Sequence, residues 1–480
     1  MRRRHLRRGN AYGRCAAIST KGGTHLDINE MAETYTLLHD AYYGDGQFKR
    51  GGALVRHTRE SPENFAKRKK LAYYLNYMGP IVNASVDPIF RNEIKREYND
   101  TAKFKVFLDD ADRTGADLQN YMRRLATMAK LYGVVYVIVN NEAEIGETVQ
   151  DSLNKRALPY LAHVLPNEVT HWRFDERGQM VEFGYKSSVK DAEDKTRTRY
   201  YTWSETVWTV ADENMQIIRQ GENPLGRLPV VQYFGRSTDP MEVLPSPEFL
   251  SVAQTNLHVY QLCSWHTQIL QNQTFNILIM PHTGASELTI GTNNILGYPP
   301  ESQHPPAFIA PDAAPAQVLT EQIDRLIREM YRMSGIDSVI GVQSAKSGVA
   351  RQWDFERTNQ RLVDFAIQCE EAEKAIVALY EAWTGETIGY VCEYPRDFKI
   401  SDVTEGLAQA QAALDLGLES KTYQVEVARK VLEAYLPNLE PVAYDAIIRE
   451  LEAAAAVIEQ TQTYGDDDET DGDTDRDSGV

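Results

Sequence analysis

The spacing of hydrophobic and polar residues changes several times along the chain, and each change predicts a different element. From Met31 to about residue 96 the apolar residues recur at helical spacing. Ser61 before Pro62 marks a helix start there, because serine caps helices and proline fits the first turn. A second helix is predicted over 115–131. It leads into the β-branched run 133–139, which has the composition of a buried strand.

Further segments have strand composition and are separated by turn residues. They lie at 160–164, 170–174, 180–185, 199–203 and 207–210. Turns at 175–178 and 212–214 indicate that neighbouring strands run antiparallel. Residues 31–244 are therefore predicted to form an α+β domain, and the fold class predicted for the whole chain is α+β and rich in helix.

A helix, a short β-rich segment and a second helix follow. The first helix begins near Ser246 and its segment covers 245–271, whereas 272–311 holds one apolar strand and many proline and glycine turns. The second helical segment, 312–335, is amphipathic. It ends at Gly335, because glycine suits the left-handed conformation that commonly follows a helix.

The rest of the chain is predicted to be helical apart from one flexible segment. Glycine and serine mark 336–349 as that segment, and a long helix with its return then occupies 350–400. Helices rich in alanine, leucine and glutamate cover 401–460. The basic residues 1–30 and the acidic residues 461–480 are predicted to be a flexible arm and a disordered tail, because so polar a segment cannot bury a core.

Charged residues are nearly absent from one stretch. Between Glu248 and Asp312 only Glu287 and Glu301 are charged, although charged residues make up 25% of the sequence. The stretch is too polar for hydrocarbon, where unpaired polar groups are costly. Interface cores are depleted in charge and enriched in aromatic residues, so the stretch predicts a subunit interface. Its candidate interface residues are large and apolar or aromatic: Leu257, Tyr260, Trp265, Phe275 and Tyr298.

The net charge of −18 is also distributed unevenly. Residues 1–14 carry +6 and residues 465–480 carry −7, which leaves −17 for the chain between them. A protein that grips nucleic acid by neutralising phosphates is expected to carry a basic surplus instead. Any DNA partner is therefore expected to be held loosely.

The sequence contains no signature of a common enzyme or cofactor site. P-loop, dinucleotide-binding, nucleophile-elbow and zinc-protease motifs are missing, and the four cysteines are too far apart for a thiolate zinc site. His258 and His266 are expected to be hydrogen-bonded interface histidines, and Asp109, Asp110 and Asp112 to cap a loop. We expect no catalysis, no cofactor and no metal. No export signal or membrane span is predicted either.

Several short motifs follow one another in a definite order. The segments Tyr73–Asn76 and Asp87–Phe90 come first, then the helix–glycine–strand unit at 126–139, then Leu225–Val231 before the helix at 245–271. The motif Gly417–Thr422 comes last. Over residues 35–440, these motifs and their layout resemble the portal proteins, or head–tail connectors, of tailed double-stranded DNA bacteriophages. The motif Gly417–Thr422 departs from the family's pattern at Glu419 and in the spacing of its Ser and Thr.

The resemblance implies an architecture for the whole chain. In the family's terms the segments are a wing with a mixed β-sheet at 31–244, stem helices at 245–271 and 312–335, a small β-rich clip at 272–311, a tunnel loop at 336–349, a long wing helix at 350–400 and a helical crown at 401–460.

The resemblance also implies a function. A portal is a ring of twelve identical subunits at a unique capsid vertex of the virion, assembled in the host cytoplasm, and its channel carries the genome during packaging and ejection. The implied partners are double-stranded DNA without sequence specificity, the large terminase, the head–tail adaptor, and capsid and scaffold proteins, with no membrane. The acidic body agrees with this, because each neutralised phosphate would slow DNA passage.

On this layout the tunnel loop would approach DNA. Its candidate channel residues are Gln343, Ser344, Lys346 and Ser347, a neutral polar lining with one cation. An exposed lysine with no role is the alternative for Lys346. Two other classes of function stay open: another ring-forming or scaffolding virion protein, and an enzyme with an unrecognised active site.

Overall fold

The computed structural model describes residues 28–141, 157–190, 194–274, 277–279, 307–309, 313–335, 348–398, 410–413, 415, 420–436, 443–451 and 453. The predicted acidic tail lies outside these residues, as does most of the predicted basic arm. The chain divides into two compact units, 1–398 and 399–480.

The first unit consists of helices, a run of consecutive strands from β2 to β9, and further helices. In chain order its helices are α1 (Ile28–Tyr43), α2 (Pro62–Leu71), α3 (Met78–Val86), α4 (Ala102–Asp109), α5 (Leu118–Tyr132), α6 (Leu250–Thr274), α7 (Ala314–Ser334) and α8 (Gly348–Thr384). Its strands are β1 (Lys95–Glu97), β2 (Val134–Asn140), β3 (Tyr160–Val164), β4 (Val169–Phe174), β5 (Met180–Lys190), β6 (Thr196–Ser204), β7 (Val207–Ala211), β8 (Ile217–Glu222), β9 (Val230–Phe234), β10 (Ile277–Ile279), β11 (Ala307–Ile309) and β12 (Val391–Glu393). The predicted fold class, α+β and rich in helix, is confirmed.

Strand β2 lies at the centre of this unit because both of its faces are buried. It pairs antiparallel with β3 and β9. Val135, Val137 and Val139 face a core that α5 and α8 also line. Tyr136 and Ile138 face the opposite core, which includes residues of the five-stranded sheet. The continuous apolar run in the sequence therefore correctly predicted a strand that is covered on both sides.

The five-stranded sheet is an antiparallel meander in the order β4-β5-β6-β7-β8. Asp175 accepts hydrogen bonds from backbone N–H groups in the β4–β5 turn, and Asp212 does the same in the β7–β8 turn. Aspartate in such a turn satisfies amides that have no strand partner. The sequence analysis did not predict β8, and its exposed side chains lack the alternation that marks a half-buried strand.

Local caps explain where several helices begin. Ser61 accepts a hydrogen bond from the Asn64 N–H at the start of α2, as predicted. Asp117 does the same for α5 with the N–H of Asn120. These side chains satisfy amides that the first turn of a helix leaves unpaired.

The second unit has helix α9 (Lys421–Tyr435) and further helical residues at 410–413 and 443–451. Ser420 caps α9 through the N–H of Tyr423. The assignment of 401–460 to a crown stays a prediction. Among the described residues of both units, no helix is long and apolar enough to cross a membrane.

Candidate functional site

The region predicted to carry the function begins with two paired helices. Helices α6 and α7 pack against each other, and the antiparallel strands β10 and β11 lie between them in the chain. The Nε2 atom of His266 on α6 lies 3.1 Å from the Oγ1 atom of Thr320 on α7. Gly335 ends α7 in the left-handed conformation with φ of 68°, as its position in the sequence predicted.

Helix α6 contains no Asp, Glu, Lys or Arg. Its solvent-exposed residues include Ser251, Gln254 and His258, which are spaced three and four apart and therefore share one helix face. This neutral face is available for contact with another molecule. Leu257 and Trp265, two of the predicted interface residues, are only partly buried and pack at the edge of the core beneath. Phe275 and Tyr298, two others, lie outside the described residues.

Tyr260, the remaining predicted interface residue, lies inside the core of its own chain. Only 2% of its surface is exposed. Its ring contacts Phe48 and Tyr74, and its hydroxyl donates to the Phe48 carbonyl at 3.0 Å. A side chain with these contacts has no surface left for a second subunit. We therefore no longer assign Tyr260 to an interface, and the absence of charge around it follows from burial within one chain.

Two buried polar side chains attach α6 to the N-terminal part of the unit. The Asn256 carbonyl oxygen accepts from the Tyr74 hydroxyl at 2.6 Å and the Tyr77 N–H at 3.2 Å, and its amide donates to the Leu75 carbonyl at 3.0 Å. Ser264 accepts from buried Arg68 at 3.0 Å. Because such groups are costly to leave unpaired, these contacts fix the position of α6.

Arg68 extends this attachment to the loop before α2. Its guanidinium donates to both carboxylate oxygens of Glu60, at 2.8 and 2.7 Å, and to the Val55 carbonyl at 2.9 Å. Side chains of Arg68 and Glu60 are 1% and 9% exposed, so this is a buried, fork-shaped ion pair. The sequence analysis missed the contact between Arg68 and α6, because Arg68 and Ser264 are 196 positions apart.

The end of α7 is fixed to α8. Thr358 donates to the Gly335 carbonyl at 2.8 Å, and Arg361 donates to the Ser334 carbonyl at 2.7 Å. Carbonyls in the last turn of a helix have no partner within the helix, so these contacts satisfy them. The predicted channel residues Gln343, Ser344, Lys346 and Ser347 belong to the segment that follows Gly335 and lie outside the described residues.

Helix α8 is fixed in turn by a buried carboxylate. Glu373 accepts from Arg96 through both oxygens, at 2.7 and 3.1 Å, from Tyr394 at 2.5 Å and from Tyr390. Burial, and then the Glu373 charge, raise the pKa of Tyr390. Both tyrosines therefore stay protonated donors. A buried carboxylate with this many donors is satisfied, and it holds β1, β12 and α8 together.

The other candidate chemistry in the sequence serves structure. Asp112 accepts from the N–H groups of Thr114 and Ala116, so the Asp109–Asp112 segment caps the loop before α5, as expected. Burial raises the thiol pKa of Cys369 and of Cys392 to about 12, which keeps both in the unreactive thiol form. Among the described residues, no group of three or more His, Cys, Asp or Glu could hold a metal ion.

One open cleft of about 430 Å³ lies where α1, α3 and α5 meet. Its charged groups are already paired: Arg123 contacts Asp87 at 2.8 Å and Arg124 contacts Asp112 at 2.7 Å. The cleft contains no nucleophile next to a base, which is the arrangement that covalent catalysis requires.

A comparison with protein-family models gives no match, and neither does a comparison with curated proteins. Solved structures give similarities at low identity. A chain of "Virion of native gene transfer agent (GTA) particle" is 11% identical, with a TM-score of 0.43 over 82% of this chain and 93% of that one. A chain of "Neck of empty GTA particle computed with C6 symmetry" is 11% identical, with a TM-score of 0.43 over 80% and 99%. A chain of "Neck of native GTA particle computed with C12 symmetry" is 12% identical, with a TM-score of 0.41 over 73% and 89%.

Proposed function

We propose that this protein is a phage portal: a ring-forming structural protein of the virion whose central channel carries double-stranded DNA. The observation that carries the proposal is the order of parts in the first unit. An α+β body leads into α6, the strand pair β10–β11, α7 and the 37-residue helix α8. The sequence resemblance assigns the same order of parts to wing, stem, clip, stem and long wing helix.

The way in which α6, α7 and α8 are held supports a mechanical role. Asn256, Ser264, Gly335 and Glu373 each tie one of these helices to another element through buried or partly buried hydrogen bonds. Such networks rigidify a structure when every polar group is satisfied. A subunit that transmits force between a capsid and a packaging motor requires this rigidity, whereas an enzyme requires an accessible reactive group.

The charge of the chain supports passage of DNA without tight binding. A net charge of −18 per subunit becomes a strong negative field in a ring, which repels phosphates and prevents long residence. In the proposed ring, the segment with Gln343, Ser344, Lys346 and Ser347 lines the channel, and Lys346 supplies one cation per subunit.

The finer roles follow from the same proposal. Twelve subunits would stand at a unique capsid vertex after assembly in the host cytoplasm. The ring would receive DNA from the large terminase during packaging, release it during ejection, and contact the head–tail adaptor and the capsid and scaffold proteins. No catalytic step is assigned to the portal itself.

Negative-stain imaging of the purified full-length chain tests this function. The expected particle is a ring with an axial hole and about twelve-fold symmetry. Mass photometry on the same sample gives the subunit number independently. A preparation that contains monomers and dimers at micromolar concentration, with no closed ring, would contradict the proposal. A closed ring without an axial hole would instead favour another scaffolding component of the virion.

A further inference from the structure

A strongly basic surface stands out on this acidic chain. Residues 49–70 contain eight Lys or Arg and two Glu, a net charge of +6, which leaves −24 for the rest of the chain. Apart from Lys49, which pairs with Asp45, the exposed cations of this segment are Arg50, Arg56, Arg59, Lys67 and Lys70, which we call the basic patch. Within the described part of the chain, none of the five has a carboxylate partner within 4.0 Å.

The cations form one surface because the loop before α2 folds back onto that helix. Gly51 approaches Lys69 so closely that a Cβ atom at residue 51 would lie 2.7 Å from the Lys69 Cβ atom. Farther along, Val55 and Glu60 are both hydrogen-bonded to Arg68. Two of the nearby acidic groups are used internally, since Glu60 pairs with Arg68 and Asp45 pairs with Lys49. Exposed Glu63 on α2 offsets one cation, and the rest of the positive charge stays uncompensated at the surface.

The surface around the patch has the composition of a protein interface. Val55, Leu71 and Tyr73 are 69%, 44% and 52% exposed. Phosphate-binding surfaces use hydrogen-bond donors and gain little from exposed Val or Leu. Arginine and aromatic side chains beside apolar ones are enriched where proteins meet proteins. These neighbours favour a protein partner over DNA.

The segment that carries the basic patch is also hydrogen-bonded directly to α6. The Val55 N–H donates to the Gln261 side chain at 2.9 Å, and Arg68 donates to Ser264. Helix α6 carries the neutral exposed face of Ser251, Gln254 and His258. The basic patch therefore lies next to the helix that is proposed to contact the neighbouring subunit in the ring.

From these observations we infer that the basic patch binds an acidic face of a second copy of this chain. The inference rests on the proposed ring. In a cyclic ring each subunit contacts its two neighbours through two different surfaces, and the basic patch would be one of these two surfaces. Subunits that each carry −18 repel one another. Five exposed cations lower this repulsion at the one place where the neighbouring surface has to approach, and complementary charge also selects the register of docking.

The test is charge reversal in the full-length chain. Lys67→Glu combined with Lys70→Glu reverses two exposed charges on α2. Arg91→Glu combined with Lys105→Glu is the matched control, since both residues are exposed, have no ion pair in the described chain and give the same change in charge. Circular dichroism melting establishes that both variants fold. Subunit number is then measured by mass photometry across protein concentration at 50 and 500 mM salt.

The expected result is that the α2 variant needs a protein concentration about tenfold or more above that of wild type and control to form the same oligomer at low salt. The difference should shrink at high salt, because exposed charges are screened. Equal assembly of all three proteins overturns the inference and leaves the portal proposal intact. Wild-type oligomers that are not rings, and that the α2 variant loses, support the patch and overturn the portal proposal.

A gel-shift measurement with a 40-base-pair DNA duplex tests the remaining alternative, that the basic patch binds DNA. The inference expects the α2 variant and the control to bind this duplex equally. A loss of DNA binding in the α2 variant together with unchanged self-association would identify the patch as a DNA-binding surface and overturn the inference.

Discussion

Helices α6 and α7 pack against each other and line the same core, yet only α7 carries charged residues. Helix α6 has no charged residue, whereas α7 has six between Glu321 and Arg332. Helix α6 buries residues on several sides, because α1, α2, α3 and α7 all contact it. Helix α7 is amphipathic and buries a narrow stripe that includes Ala316, Ile323 and Met330. Helix α6 therefore buries residues on more sides than α7 does, although one of its faces is exposed.

The difference shows that an uncharged stretch has two distinct physical causes. Asn256, Tyr260 and Ser264 are uncharged because they are buried in their own chain. Ser251, Gln254 and His258 are uncharged although they are exposed. Only the exposed face is open to a neighbouring subunit, so we restrict the proposed interface to that side of α6.

Among the substitutions that test this difference between α6 and α7, Tyr260→Glu should have the largest effect on stability. It places a charge without a partner in the α6 core and should cost about 4 kcal/mol or more of unfolding free energy, so that little soluble protein is recovered. Tyr260→Phe is the matched control and should cost about 1 kcal/mol, the value of its hydrogen bond to Phe48. Urea unfolding measures both. Soluble, normally stable Tyr260→Glu protein would mean that this side chain is not in the core.

Gln254→Glu combined with His258→Glu tests the exposed face of α6. The monomer should keep its melting temperature, because both residues are in solvent. Ring assembly should be weakened by about 3 kcal/mol or more, since charges would be buried at a subunit contact. Gln317→Glu on the exposed side of α7 is the control and should leave assembly unchanged in mass photometry. Normal rings from the double variant would show that this face does not contact a neighbouring subunit.

Asn256→Ala should cost about 2 to 3 kcal/mol of unfolding free energy, because the Tyr74 hydroxyl, the Tyr77 N–H and the Leu75 carbonyl lose their partner in partly buried contacts. The loss is measured as a shift in the urea midpoint. Gln254→Ala, two residues away on the exposed side of the same helix, is expected to shift it by less than about 0.5 kcal/mol. Equal effects at the two positions would contradict the asymmetry of α6.

Gly335→Ala addresses the end of α7. The new Cβ would lie 2.1 Å from the Arg361 guanidinium, and φ of 68° is unfavourable for any residue with a side chain. We expect a loss of about 1 to 2 kcal/mol in unfolding free energy, partly from the displaced Arg361. Gly385→Ala has the same φ of 68° but no atom within 4 Å, so it isolates the conformational cost. Identical losses would exclude a contribution from Arg361.

Val318→Ala on α7 should have the smallest effect. Its side chain is 63% exposed, so truncation removes little buried surface. The expected change in unfolding free energy is within about 0.5 kcal/mol in urea titration. A loss above about 1 kcal/mol would place Val318 in a contact, and α7 would then be less exposed than its charge pattern indicates.

Local sequence signals determined most of the secondary structure. The β-branched run predicted β2, Ser61 predicted the start of α2, and Gly335 predicted the end of α7, because each acts through neighbours a few residues away. The same signals predicted the order of elements and the fold class. They could not predict β8, whose side chains are exposed and whose position depends on pairing with β7.

Only the tertiary structure decided which uncharged residues are core and which are surface. Tyr260 and Gln254 lie in the same uncharged helix, and the absence of charge by itself did not distinguish a residue buried in its own chain from one exposed to a neighbouring subunit. Tyr260 is buried because Phe48 lies against it, and Asn256 is satisfied by Tyr74, which is 182 positions away. Arg68 reaches Ser264 over 196 positions. Burial and hydrogen bonding at such separations depend on how distant segments pack together, and the local spacing of residues cannot predict this.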